Sequence, residues 1–125
     1  MSDAMTQVLV PTQEFEEIVR QAVDELPEWV GPLLDEMALW VADVPEEPMA
    51  PGHTLLGVYR GFPRTRYGGR PAGSMPDSIT LYRLPILSTC RTRDDVPQRV
   101  LTVLGHEVGH ALGLPEHRLR ELGWA

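Results

Sequence analysis

The 125-residue chain contains a single cysteine, Cys90, and no lysine. One cysteine cannot form an internal disulfide or a zinc site built on cysteine pairs, so a reduced, cytoplasmic setting fits best. We interpret Cys90 as a small, mostly buried side chain without the sequence context of a catalytic thiol. No apolar run approaches the roughly 20 residues of a membrane span. The polar segment 1–7 also lacks the basic residues of a signal peptide, so we expect no membrane association.

Positive charge is scarce and unevenly placed. The formal net charge of −7 comes from 18 acidic and 11 basic residues, and it argues against a nucleic-acid partner. Residues 1–50 contain 12 acids and one arginine, whereas residues 51–125 contain 10 arginines and 6 acids. Two interpretations remain open. The two halves neutralise each other in the folded protein, or arginines around a cleft favour acidic peptides.

The length of 125 residues predicts one domain, residues 1–125, with a single modest core. An amphipathic helix is expected at 12–26, and a short helical turn broken by Gly31 and Pro32 at 29–34. The composition of 61–77, rich in glycine, proline and arginine, predicts a long loop that forms either the rim or the lid of a cleft. Tyr67 is either a substrate contact or an aromatic side chain that pins this loop. Strands are predicted at 37–44, 54–60 and 78–84, with Pro85 ending the third. This order predicts an α+β fold with a small, mostly antiparallel sheet.

The most informative stretch is His106-Glu107-Val108-Gly109-His110, which has the HExxH pattern. On a helix, this spacing places two imidazoles one turn apart on the same face, where both can bind one zinc ion. Glu107 lies about 100° around the helix, close enough to reach a metal-bound water without being a ligand. The alternative is a pair of solvated histidines on a surface helix.

The surrounding residues predict an amphipathic helix with the histidines on its polar side. We expect it to begin near Asp94 and Asp95 and to stop at Gly113, which Pro115 follows. The apolar side comprises Leu101, Leu104, Val108, Ala111 and Leu112, and the polar side comprises Arg99, Thr102, His106 and His110.

A catalytic zinc site usually has three protein ligands, so the two histidines need a partner. In a continuous helix, Glu116 would lie about 9 Å further along the axis. A left-handed Gly113 lets the chain turn back and bring Glu116, or in reserve His117, to the metal. Alternatively, Glu116 is only an acid in the first turn of a short final helix that begins at Pro115.

Several stretches carry a resemblance to a known family. They are the HExxH motif with Gly113, the tail Arg118–Trp124 and the segment Pro76–Arg83, and more weakly the opening helix and Leu55–Tyr59. Together they resemble the minimal zincin-like metallopeptidase family, a group of short bacterial proteins. In that family the position of Glu116 is usually an acid and is taken as the third ligand. The resemblance therefore implies a minimal zincin-like fold, with His106, His110 and Glu116 as zinc ligands and Glu107 as the base.

From this site we expect zinc-dependent hydrolysis of a peptide or protein substrate, with Glu107 taking a proton from a zinc-bound water. Candidate donors to the oxyanion are His117, Tyr82 and Arg83. An extended peptide could pair with an edge strand, for which 78–84 is the candidate. The alternative is a non-catalytic module in which the metal stabilises the fold or the cleft only binds a peptide or protein.

Overall fold

The structure is a computed structural model that describes residues 8–47, 55–61 and 76–125. Most of the predicted loop 61–77, including Tyr67, lies outside the described residues. Two short 3₁₀ turns, Glu28–Val30 and Arg93–Asp95, precede the second and fourth helices. The elements follow in the order α1 (Thr12–Glu25), α2 (Gly31–Asp35), β1 (Ala38–Ala42), β2 (Gly57–Arg60), β3 (Ser78–Tyr82), α3 (Arg83–Ser88), α4 (Val96–Leu112) and α5 (Glu116–Leu122).

Within the residues that the structure describes, the sheet has three strands in the order β1-β3-β2. β3 lies in the middle, parallel to β1 and antiparallel to β2. The predicted α+β class with a small sheet is confirmed, but the sheet is mixed and not mostly antiparallel. β1 and β2, consecutive in the sequence, are not neighbours, because β3 lies between them. A parallel pair needs a long connection, and the 35 residues from 43 to 77 supply one between β1 and β3.

Prolines that the sequence suggested as the ends of elements lie at the beginnings of helices in this fold. Gly31 and Pro32 open α2, and Pro85 lies in the first turn of α3, so β3 ends at Tyr82. Pro97 likewise lies in the first turn of α4, close to the start predicted near Asp94 and Asp95. The first four N–H groups of a helix have no partner within it, so a residue that lacks this hydrogen is tolerated there.

The core lies where α4 packs against α1, β2 and β3. The predicted helix at 12–26 is confirmed as α1, which buries Phe15, Val19 and Ala22. On α4, the predicted apolar side is also buried or packed against the core. Val100 and Val103 are buried as well, and Val103 packs against Gly57 of β2. None of the helices in the described ranges is long and apolar enough to cross a bilayer.

Candidate metal centre

α4 carries both motif histidines on the side that faces a cleft. The two ring centroids are 4.5 Å apart, and the rings meet edge to face at 75°. The His106 side chain is 29% exposed and that of His110 is 44% exposed. Both imidazoles therefore remain accessible to an ion, while the opposite side of the same helix is buried in the core.

Glu107 is the charged residue of the motif that the fold buries, at 5% exposure. Its Oε1 atom lies 3.1 Å from Nδ1 of His110. One ligand atom from each of His106, Glu107 and His110 can be chosen so that all three lie within 4.8 Å of one another. These three residues form a group that could hold a metal ion.

The chain reverses direction immediately after α4. Gly113 has φ 73°, which confirms the predicted left-handed glycine. Its N–H donates to the His110 carbonyl at 3.0 Å, and the N–H of Leu114 donates to the Gly109 carbonyl at 2.9 Å. This pair of hydrogen bonds is the Schellman motif, which satisfies the free carbonyls at a helix end. The reversal starts α5 beside the histidines.

Glu116 is the first residue of α5, and its Oε1 atom lies 3.9 Å from Nε2 of His106. Two ligands of a tetrahedral zinc ion, each about 2.0–2.1 Å from the metal, are about 3.3–3.4 Å apart. The observed separation is therefore within about 0.6 Å of that required. Two imidazoles and a carboxylate are also a donor set that open zinc sites use. The residues fit a zinc ion, and the role of Glu116 as third ligand stays a prediction.

His117, the reserve ligand, is exposed. In the described part of the chain, no hydrogen bond or ion pair joins it to either motif histidine. Its charge acts on Glu121. The hydrogen bond from Arg118 holds the pKa of the Glu121 carboxyl below its usual range, and His117 makes a smaller contribution in the same direction. This placement favours Glu116 over its neighbour.

Replacing Glu116 with alanine is expected to weaken zinc binding on the order of 100-fold, because it removes one of three ligands. Competition against a chromophoric chelator measures the change. Glu121→Ala, at an exposed position of the same helix, is the matched control and should leave the affinity unchanged. If His117→Ala weakens binding and Glu116→Ala does not, the reserve ligand is the correct one.

The tail contributes a contact that the sequence did not assign. Nδ1 of His106 lies 3.0 Å from the backbone carbonyl oxygen of Trp124. In the sequence, the tail 118–124 contributes only to the resemblance to a family. A local signal was nevertheless present, since Leu122-Gly123 repeats the Leu112-Gly113 pattern and Gly123 is also left-handed, with φ 78°. A second helix stop of this kind indicates a second reversal towards α4.

The cleft beside the histidines has a volume of about 430 Å³ and lies between β2 and α4. Its walls are largely apolar, with Arg99 and Thr102 as further polar residues of α4 on the histidine side. The residues that line it are Leu55, Leu56, Gly57, Val58, Tyr59, Arg99, Thr102, Val103, His106, Glu107, His110 and Ala125.

Three predictions about this cleft are wrong. Strand 78–84 is the centre of the sheet and not an edge, because the strand pairing places β3 between two neighbours. Tyr82, at 3% exposure, does not line the cleft. Nor does Arg83, whose Nε donates to Asp43 at 3.0 Å and whose Nη1 donates to the Val10 carbonyl at 2.8 Å. Arg83 therefore joins the start of α1 to the end of β1.

Cys90 lies outside the cleft and is partly buried. Its thiol donates to the Ile86 carbonyl at 3.5 Å. Burial raises the pKa of the Cys90 thiol, while a hydrogen bond with Thr89 and the charge of Arg99 oppose that rise. A thiol in such a setting is a poor nucleophile, in agreement with the structural role expected of it.

Comparison with known proteins identifies the family of this chain. A family model for zincin-like metallopeptidases matches residues 34–124. The chain belongs to this family, which confirms the resemblance seen in the sequence and implies a metal, typically zinc. The solved structure of a conserved hypothetical protein from Thermus thermophilus shares the fold. It is 24% identical, with a TM-score of 0.56 over 90% of this chain and 96% of that one. Among curated proteins, none matches.

Proposed function

We propose that the protein is a zinc-dependent peptidase in which His106, His110 and Glu116 hold the metal and Glu107 is the general base. The observation that carries the proposal is the reversal at Gly113. It brings a carboxylate to 3.9 Å from Nε2 of His106, on the side of α4 where the second histidine lies. Three such ligands leave a tetrahedral ion one open position. An open position distinguishes a catalytic zinc site from a structural one.

Each residue of the motif then has a chemical task. A zinc ion in this site supplies a Lewis acid that acidifies water and polarises a carbonyl group. The Glu107 carboxylate accepts the proton of the attacking water and passes it to the leaving amine. Its burial and its 3.1 Å contact with His110 hold it in one position beside the metal ligands. A fixed base avoids the entropic cost of ordering a mobile side chain during the reaction.

We further propose that the substrate is an extended peptide lying along β2. In the described part of the chain, no strand pairs with the outer edge of β2, and residues 55–59 line the cleft. A peptide added there gains main-chain hydrogen bonds without a sequence requirement. Arg99 precedes His106 by two turns of α4, about 10 Å, which is about three residues of an extended chain. Among the described residues, no carboxylate pairs with Arg99. This free positive charge supports the interpretation that acidic peptides are favoured.

Incubation of the zinc-loaded protein with a mixed peptide library is expected to give cleavage products by mass spectrometry. Removal of the metal with a chelator should abolish cleavage, and added zinc should restore it. Cleavage that persists without metal, or a zinc-loaded protein that cuts no peptide, would contradict the proposal. The second outcome, with a chelator that also lowers the melting temperature, would favour the non-catalytic module.

We also propose that residues 1–125 form one domain and that the protein has a cytoplasmic setting.

A further inference from the structure

We propose that Trp124 is a positioning residue for the metal site, because its backbone carbonyl sets the tautomer and orientation of His106. The inference rests on the proposed function only in taking His106 as a metal ligand. A carbonyl oxygen can only accept a hydrogen bond. The 3.0 Å contact with Nδ1 therefore places the proton on that nitrogen and leaves the lone pair on Nε2. Nε2 is the atom that lies 3.9 Å from the carboxylate of Glu116.

The position of this carbonyl is fixed by the way the indole ring packs. Trp124 is 6% exposed, and its ring lies directly against Gly105, the residue before His106. A Cβ atom at position 105 would lie 2.5 Å from two ring carbons, which no real Cβ tolerates. Glycine at 105 therefore permits the close approach that brings the Trp124 carbonyl within reach of the imidazole.

The last helix holds the same tail from the other side. The Trp124 N–H donates to the Leu119 carbonyl at 2.8 Å, and the Gly123 N–H donates to that of Arg120 at 3.1 Å, a second Schellman motif. Leu119 is 1% exposed and packs against Gly109, one turn along α4 from Gly105. Because Gly105 and Gly109 have no side chain, α5 and the tail pack closely against α4 at these two positions. Each of the two glycines directly precedes a motif histidine.

The two histidines are supported differently. Nδ1 of His110 contacts the Glu107 carboxylate, a side chain assigned to the reaction, while Nδ1 of His106 contacts a backbone group. A backbone carbonyl stays an acceptor at every pH, so the orientation of His106 does not depend on the protonation of a partner. Outer-shell partners of this kind typically contribute about 10–100-fold to metal affinity.

The test uses Trp124→Ala and the conservative Trp124→Phe in the full chain. Nitrogen-15 NMR of the metal-free proteins at alkaline pH, where imidazoles are neutral, reports which nitrogen of His106 carries the proton. We expect Nδ1–H in the wild type and in Trp124→Phe, which keeps a ring against Gly105. Trp124→Ala should mix the two tautomers and raise the zinc Kd by about 10–100-fold. The Phe variant should restore most of that affinity.

Trp29→Ala is the matched control. The ring centroid of Trp29 lies 6.2 Å from that of Trp124, but Trp29 takes no part in the hydrogen bond between His106 and the Trp124 carbonyl. It should lower the melting temperature and leave the tautomer unchanged. If Trp124→Ala behaves in the same way, or if wild-type His106 carries its proton on Nε2, the inference is wrong. Should Trp124→Ala fail to fold, the wild-type tautomer alone decides. Neither readout uses hydrolysis, so an inactive protein that still shows the expected tautomer and affinities would contradict only the proposed function.

Discussion

Replacing Glu107 with glutamine is expected to lower kcat/KM for peptide hydrolysis by about 10²–10⁴-fold, the usual contribution of a general base. Glutamine has almost the same shape and can still face Nδ1 of His110 through its amide oxygen. It cannot take a proton from water. Because Glu107 is not one of the three proposed ligands, the variant should bind zinc with nearly the affinity of the wild type. Steady-state assays on a cleaved library peptide, together with metal analysis, measure both quantities.

The same change at Glu121 is the matched control for this variant. Glu121 is exposed, pairs with Arg118 on the surface of α5 and does not line the cleft. Glu121→Gln should therefore leave hydrolysis and zinc content unchanged. Turnover that survives in Glu107→Gln would exclude this residue as the base. Loss of zinc in the same variant would instead make Glu107 a ligand, an outcome that its closeness to both histidines makes important to measure.

The second large effect is expected from His106→Ala, which should weaken zinc binding by more than about 100-fold, because outer-shell partners alone contribute about 10–100-fold. The loss can be measured as stability. At a zinc concentration of about 100 times the wild-type Kd, binding adds about 2.7 kcal/mol to the free energy of unfolding. A variant with about 100-fold weaker binding would gain only about 0.4 kcal/mol under the same conditions. Denaturant unfolding with and without zinc measures this difference.

Thr102→Ala is the matched control for the histidine variant. Thr102 lies on the same side of α4 and lines the same cleft, and its hydroxyl hydrogen bonds to the Gln98 carbonyl within the helix. Its removal should leave the stabilisation by zinc intact. A His106→Ala protein that zinc still stabilises by the full amount would place the metal elsewhere in the chain.

The sequence was most informative where a structure depends on local spacing. The bounds of α1 and α4 follow from apolar residues that recur at the helical period, and the stop at Gly113 follows from the preference of glycine for the left-handed region. The approach of Glu116 to His106 could be predicted in the same way, because a reversal directly after the helix brings only a few residues within reach of the histidines. The resemblance to the family already favoured Glu116 over His117, and the 3.9 Å separation from His106 adds support from distance.

Pairing between distant segments could not be predicted in the same way. Alternation in β3 predicts which residues share a face but not which strands lie on either side. The pattern therefore offers no means to place β3 in the centre or to recognise β2 as the edge beside the cleft. Prolines add a second ambiguity, because Pro32 and Pro85 have the same chemistry whether a helix stops or starts there. For the Trp124 carbonyl, the sequence offers only the helix stop at Leu122-Gly123, which indicates a reversal towards α4 but not that a backbone oxygen reaches His106.

The burial of Trp124 has an optical consequence. Of the three tryptophans in the chain, Trp29 and Trp40 are more than half exposed, while Trp124 is 6% exposed and one hydrogen bond away from His106. An indole shielded from water fluoresces at shorter wavelength than one in solvent, so its emission stands apart from that of Trp40. Paramagnetic Co²⁺ or Cu²⁺ held by His106 would quench that blue-shifted emission, whereas diamagnetic zinc would not. The emission of Trp124 would therefore report, without an added dye, whether Co²⁺ or Cu²⁺ occupies the site at His106.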